Sequence, residues 1–306
     1  MLTGVPVSQA NDLLGASYRV YQHAETKDRI IRTVGYAIPA VLHGHVQTVA
    51  PTTYFGPLRP QGQTLRKRSG GAAAALAKAA SVSREPVKVL SSRSSDITPS
   101  ELRYRYNMLG YGPAATDENK LGLVGYHGDY PSQSDLVKFM EEYRRDGEAA
   151  FTFVRVGGGD NPDGPSAEAN LDIQYGVALT YPTPNIYYST SSEGVFLKWL
   201  DYILNEQDIP QTITTSYAGN EQDFPEDYAI SMCLLFARLG VRGVSVIFSG
   251  GDYGVGRGDC VVNDGSGKVQ FLPIFPATCT CSVFFSVHKW YKFFIVLPRF
   301  NRSLGH

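Results

Sequence analysis

The sequence predicts an α/β fold built on a parallel sheet, and three observations carry that expectation. From Ile97 onward, short apolar runs alternate with segments of helical spacing, a pattern that implies parallel strands with helices on both faces. Two of the runs end in glycine and aspartate, His127-Gly128-Asp129 and Ser249-Gly250-Gly251-Asp252, and such sheets gather their sites at the strands' carboxyl ends. The chain of 306 residues is 43% hydrophobic and 19% charged, a composition that can bury a real core.

Strands are expected over 121–126, 150–156, 184–189, 212–217 and 244–248. Helical spacing falls between them, over 134–143, 168–179, 195–204 and 228–239, with Gly240 placed to cap the last helix. Ahead of this unit, residues 1–57 form a small mixed segment. Its first helix begins at Ser8, with Ala10, Leu13 and Leu14 on one side, and a second pattern runs from Tyr36 to Val49. Residues 58–96 are rich in Pro, Gly, Ser and Ala and read as an exposed linker. Arg66, Lys67 and Arg68 lie in it, either as a solvated charge run or as a processing site, since proteolysis needs an extended, accessible chain.

A formal net charge of −1 argues against a general nucleic-acid role. No apolar stretch is long enough to span a membrane. Met1 to Pro6 lacks the basic and apolar regions of a signal peptide. Of the four cysteines, Cys260 and Cys279 flank a Gly/Asn/Asp-rich loop and are expected to bridge it, the alternative being two thiols. Cys233, in an apolar helical run, reads as a small buried hydrophobe. None of the four has the spacing of a zinc ligand.

Glu168 and Asp172 stand four apart, so a helix puts both carboxylates on one face. Like charges so placed resist double ionisation, and one can hold a proton while the other is ionised. A solvated helix face is the bland alternative. Two features favour a site: no Lys or Arg lies within the helix, and a glycine loop, 157–164, precedes it. In the second segment, Gly250 and Gly251 let a ligand approach the backbone, and a protonated Asp252 could donate to an oxyanion. A plain glycine turn or a phosphate loop is the alternative, although neither GxGxxG nor Gly-Lys-Ser/Thr occurs there.

Glu168-Ala169-Asn170-Leu171-Asp172-Ile173-Gln174-Tyr175, followed some eighty residues later by the strand and Gly251-Asp252-Tyr253-Gly254-Val255-Gly256, resembles the sedolisin family of serine-carboxyl peptidases, tripeptidyl-peptidase I and its fungal relatives in particular. Thr98 to Asn107 resembles the start of the family's mature domain. Thr215-Ser216-Tyr217-Ala218 resembles its substrate-cleft strand, and Phe271 to Ala277 the segment after its oxyanion loop.

The resemblance implies a subtilisin-like α/β sheet over 97–279, preceded by the end of an α+β propeptide in 1–57. It also implies proteolysis at acidic pH through a Ser-Glu-Asp triad. Carried over, Glu168 is the general base, Asp172 its partner, Asp252 the oxyanion acid, and Thr215, Ser216, Tyr217, Gly250 and Gly251 line the substrate cleft. The implied partners are peptide or protein substrates of a monomeric enzyme in the secretory pathway or outside the cell, with neither nucleic acid nor membrane. The family's calcium site lies in a C-terminal part that these residues do not match, so no cofactor is expected in this chain.

The family's nucleophile sits in a Gly-Thr-Ser segment, and no such segment occurs here. Residues 280–306, with Lys289, Lys292, Arg299, Arg302 and no acid, read as a tail of different origin, in a chain cut short at both ends. The expectation is a chain without its serine and inactive by itself. The alternatives are a pseudo-peptidase that binds peptides without cutting them and a mis-assembled coding sequence.

Overall fold

The computed structural model describes residues 5–22, 29–46, 48–50, 52–55, 59–60, 97–114, 118–157, 164–191, 195–251, 260–280 and 283–285. Arg66, Lys67, Arg68 and Asp252 lie outside them.

The chain opens with α1 (Val7–Leu14), whose end is turned by Gly15 in the left-handed region at φ 53°. An antiparallel pair follows, β1 (Arg19–Gln22) and β2 (Arg29–Arg32). Of the second helical pattern, only a 3-10 turn at Ala40–Leu42 forms, directly after Pro39. The two-residue strand β3 (Arg59–Pro60) comes next. Then α2 (Pro99–Arg105) starts on Thr98, whose hydroxyl accepts from the Glu101 amide at 3.2 Å.

The main unit alternates as its pattern requires: β4 (Leu121–Gly125), α3 (Gln133–Tyr143), β5 (Thr152–Val156), α4 (Ala167–Thr180), β6 (Asn185–Thr190), α5 (Val195–Asn205), β7 (Thr212–Thr215), β8 (Tyr217–Asn220), α6 (Glu226–Val241) and β9 (Ser245–Ser249). The short β10 (Ile274–Phe275) and β11 (Val283–Phe285) complete it. Six of these strands form one sheet in the order β11-β9-β7-β4-β6-β5, every pair parallel. The α/β class and the parallel sheet are thus as the sequence predicts. β11 lies inside the segment read as a tail of different origin, and it adds a sixth strand to the sheet.

Period-two alternation sends neighbouring residues to opposite faces. Leu123 and Tyr187 join a small cluster with Leu136 and Met140 of α3 and Ala169, Ile173 and Val177 of α4. Val124 and Tyr188 join a larger one with Phe196, Trp199 and Leu200 of α5 and Met232, Phe236 and Leu239 of α6. The chain steps from β4 outward to β5 and, after β6, crosses to β7 on the other side of β4. This change of direction opens a crevice at the carboxyl ends of β4 and β7.

The structure changes three expectations. Gly240 does not cap α6, which runs on to Val241; Gly243, at φ 83°, makes the turn instead. The strand expected over 212–217 breaks at Ser216, because β8 leaves the main sheet to pair antiparallel with β10 and β3. The Cys260–Cys279 bridge is replaced by Cys233–Cys279, with Cα atoms 5.2 Å apart and 46 residues between them. The physical reason is register. The 261–269 excursion closes through its own backbone, Val262 N to Lys268 O at 2.9 Å and Gln270 N to Cys260 O at 3.0 Å. Buried Cys279 meanwhile packs into the α6 core beside Cys233.

Candidate active site

Four segments meet at the carboxyl end of the sheet. The first is the start of α4. Ser166 caps it, its hydroxyl accepting from the Ala169 amide at 3.1 Å. Glu168 lies in the first turn, where the helix dipole favours a carboxylate, and is 8% exposed. Asp172 follows one turn deeper, so the helix brings the two predicted carboxylates onto one face.

The second segment is the break between β7 and β8. Thr215 is buried, and its hydroxyl donates to the Val124 carbonyl at 3.0 Å while accepting from the Tyr217 amide at 3.3 Å. That pair of bonds turns the chain so that Ser216 faces α4, where its hydroxyl donates to Asp172 Oδ1 at 2.6 Å. Cleft residue and carboxylate, predicted separately, are therefore in contact.

The third segment follows β4. His127, at φ 63°, and Gly128, at φ 75°, are two successive left-handed residues. Such backbone is strained for a histidine and persists where its surroundings hold it. Here Gly128 N donates to Thr190 O at 2.8 Å and Asp129 N to Tyr126 O at 3.1 Å. Asp129 emerges from this turn 6% exposed, accepting a hydrogen bond at Oδ2 from the Tyr217 hydroxyl. In the sequence, Asp129 reads only as part of a strand entering a loop, with no role of its own. The available signal was its place just after a parallel strand that ends in a polar turn.

The fourth segment is the end of β9. Gly250 and Gly251 are buried, the latter at φ 78°. The predicted oxyanion residue Asp252 comes next in the chain and lies outside the described residues.

The electrostatics follow from this crowding. Burial pushes the Asp172 carboxyl from 3.8 up to about 8, helped by the charges of Glu168 and Asp129 and opposed by the Ser216 bond. The Tyr187 phenol, fully buried beside the same three carboxylates, is raised well above 10, with burial the main cause. Its hydroxyl fills the space over Gly125, where an added Cβ would come within 2.1 Å of it. Asp172 also borders an apolar groove of about 560 Å³ lined by Leu121, Leu123, Leu171, Leu179 and Thr214. Among the described residues, no group of three or more His, Cys, Asp or Glu side chains could hold a metal ion.

A buried Glu168 and a half-buried Asp172 lie one helical turn apart, and a carboxyl pushed up to about 8 beside a second carboxylate is chemistry that can hold or pass a proton. Comparison with known proteins places the chain in a family. Residues 2–55 match the activation domain of pro-kumamolisin. Over 297 residues the chain is 33% identical to tripeptidyl-peptidase SED2 of Arthroderma otae, covering 89% of this chain and 48% of that protein. Over 301 residues it is 34% identical to the probable tripeptidyl-peptidase SED3 of Trichophyton verrucosum, covering 90% of this chain and 48% of that one. The chain belongs to the sedolisin family.

This sedolisin chain spans about half the length of the relatives it matches. Its activation segment is built against the site-bearing unit. Tyr54 stacks on Phe224 with centroids 4.6 Å apart, and Tyr36 and Thr48 each donate to Asp227 Oδ2 at 3.1 Å. Just beyond, β3 lies antiparallel on β8, with Arg59 opposite Ala218 and Pro60 opposite Tyr217. The strand edge next to Ser216 thus already carries an extended segment of the same chain. No helix among the described residues is long and apolar enough to cross a membrane.

Proposed function

We propose that these residues are the acid–base half of a serine-type peptidase made as a zymogen. The contact between Ser216 and Asp172, within a buried helix face that also carries Glu168, is the observation that carries this reading. Glu168 takes the proton of a nucleophilic serine as that oxygen attacks the peptide carbonyl. Asp172 shares the proton with Glu168. Protonated Asp252 donates to the oxyanion, so activity belongs at acidic pH and falls as Asp252 ionises. The substrates are peptides bound as β3 is, antiparallel along β8. Cleavage in the 58–96 linker, at or after Arg66-Lys67-Arg68, would free that edge. The Cys233–Cys279 bridge fits an oxidising, extracellular or secretory setting.

The mechanism requires a serine in a Gly-Thr-Ser segment, and the 306 residues contain none; by themselves they are inactive. A second reading, a chain that binds peptides without cutting them, draws on β8 already accepting an extended strand.

One experiment separates the two readings. The 306-residue chain, and the chain joined to the C-terminal half of tripeptidyl-peptidase SED2 from Arthroderma otae, are assayed against peptides from pH 3 to 8. The peptidase reading expects an inert chain and a fusion active in acid. A processed fusion that binds peptides but never cleaves them supports the second reading. Hydrolysis by the 306 residues alone, abolished by Glu168→Gln, would place the nucleophile inside them.

A further inference from the structure

We propose that Asn170 is a positioning residue for Glu168 and Asp172, fixing the rotation of α4 from the side of the helix that faces away from them. The proposal rests on the reading of the two carboxyls as the acid–base half of a peptidase.

The starting point is a residue that helix propensity does not explain. Asparagine is a poor helix former, because its side chain competes for backbone partners. Asn170 nevertheless stands inside α4, two residues from Glu168 and two from Asp172. At 3.6 residues per turn it lies about 160° around the helix axis from each of them.

Both ends of its amide are taken up by the start of α3. Ser132, which caps α3, donates its backbone N–H to Asn170 Oδ1 at 2.7 Å, and Asn170 Nδ2 donates to Asp135 Oδ2 at 3.2 Å. A donor on one side and a carboxylate on the other permit a single orientation of the side chain. The two partners are tied to each other, Asp135 N donating to Ser132 Oγ at 3.2 Å. Ser166 N donates to Tyr130 O at 3.1 Å. The first turn of α4 is thus clasped to residues 130–135 twice, through its cap and through Asn170.

On the opposite side, Ser216 holds Asp172 at 2.6 Å. The packing between these two grips is smooth. Ala169 is buried there, and at Gly176 an added Cβ would come within 3.0 Å of Leu123. Small residues let α4 lie close to the sheet, but they offer few ridges to stop it rolling. The polar bonds at front and back therefore set its angle. Without the Asn170 grip, a roll of α4 turns both carboxyls together, and a misplacement of about 1 Å can cost 10²-fold in rate.

The test uses the chain joined to the C-terminal half of tripeptidyl-peptidase SED2 from Arthroderma otae. Asn170→Leu keeps the size and removes both bonds. It should lower kcat in acid by about tenfold or more, with KM held within about twofold, because β8 is untouched. Asn170→Asp faces Asp135 from α3, whose other oxygen lies 3.5 Å from Lys138 Nζ. Two carboxyls so close share a proton in acid and keep an acceptor and a donor between them. Its kcat relative to the wild type should stay near one at about pH 3.5 and fall as pH rises towards 6. A wild-type kcat in Asn170→Leu, even with a lower melting temperature, overturns the proposal, as does an Asn170→Asp ratio that does not change with pH. Either result leaves the peptidase reading intact. A fusion that never cleaves, or one indifferent to Glu168→Gln, removes that reading and this proposal with it.

A measurement on the wild-type 306-residue chain covers the case in which the variants do not fold. The Ser132 amide should be protected from hydrogen exchange to the same degree as the Ala169 and Asn170 amides of α4. A Ser132 amide that exchanges freely while those two stay protected overturns the grip.

Discussion

The two faces of the sheet are built from opposite materials. On the α5/α6 face, Phe196, Trp199, Phe236 and Phe248 are at most 1% exposed, and the Phe236 ring meets those of Phe196 and Phe248 edge to face at 6.1 and 4.9 Å. The Cys233–Cys279 bridge is fastened to the same face. On the α3/α4 face the buried side chains are fewer and smaller, Ala169, Ala178 and Val177 among them, and the same helix buries Glu168. A buried carboxylate is costly unless its surroundings are fixed. The comparison teaches that one face holds the sheet rigid so that the other can carry charge out of water.

The sharpest test of that division is Glu168→Gln in the active fusion. It should lower kcat/KM by about 10²–10⁴-fold, the usual worth of a general base, and leave the melting temperature nearly unchanged. A variant that loses both activity and stability would show that the carboxylate face also bears structural load.

Next comes pH. The folded Asp172 carboxyl sits near 8 against 3.8 unfolded, so between those values the native state holds a proton that the unfolded chain has released. Its contribution to stability is complete below about pH 4 and is lost as pH rises through about 8. The slope is at most about 1.4 kcal/mol per pH unit for one proton. Because Asp172 keeps some solvent contact, the measured slope should be lower. Asp172→Asn should flatten this part of the curve and stabilise the chain at pH 7 relative to the wild type. Denaturant midpoints from pH 3.5 to 8.5 for the two proteins read the difference directly. A difference that does not change with pH would place Asp172 in water.

The opposite face should show no such dependence. Phe236→Ala leaves a cavity among packed rings and should cost about 3–5 kcal/mol, equally at pH 4 and pH 8. Replacing Cys233 and Cys279 together by Ala should cost about 2–4 kcal/mol, chiefly by releasing the unfolded chain. Urea titrations at the two pH values check both, and a pH-dependent loss in Phe236→Ala would show that the faces are coupled.

Much of this was legible in the sequence. The strand and helix pattern of 121–249 is strongly periodic, and its elements fall within two or three residues of their expected bounds. Glu168 and Asp172 were legible because their i, i+4 spacing needs only a helix. Asp129 was not, because its buried bond from Tyr217 depends on a left-handed turn and on a tyrosine 88 residues away in sequence. The break at Ser216 was hidden for a similar reason. Thr215-Ser216-Tyr217 reads locally as strand, and only pairing with β10 and β3 pulls β8 aside. The disulfide was misread because two cysteines flanking a polar loop look like its natural staple. The loop's own backbone bonds had already closed it, and the buried position of Cys279 was a tertiary fact.

The smallest expected effect probes the seam between the two roles. Ser166 caps α4 through Ala169 N, and its own amide binds Tyr130 O in the Asp129 loop. Ser166→Ala removes the hydroxyl and keeps the amide, so the loop stays attached while the first turn loses its cap. Loss of an N-cap costs about 1 kcal/mol, and the loss falls on the turn that carries Glu168. Asp172 lies one turn further in, held by Ser216, and should keep its titration midpoint. The expected result is therefore a split. Hydrogen exchange at the start of α4 rises and kcat in the fusion drops several-fold, while the Asp172 midpoint and the α5/α6 face stay as they were. If the Asp172 midpoint moved together with the first turn, the two carboxylates would be ordered by the helix cap as one unit, and the Ser216 contact would be its consequence and not its cause.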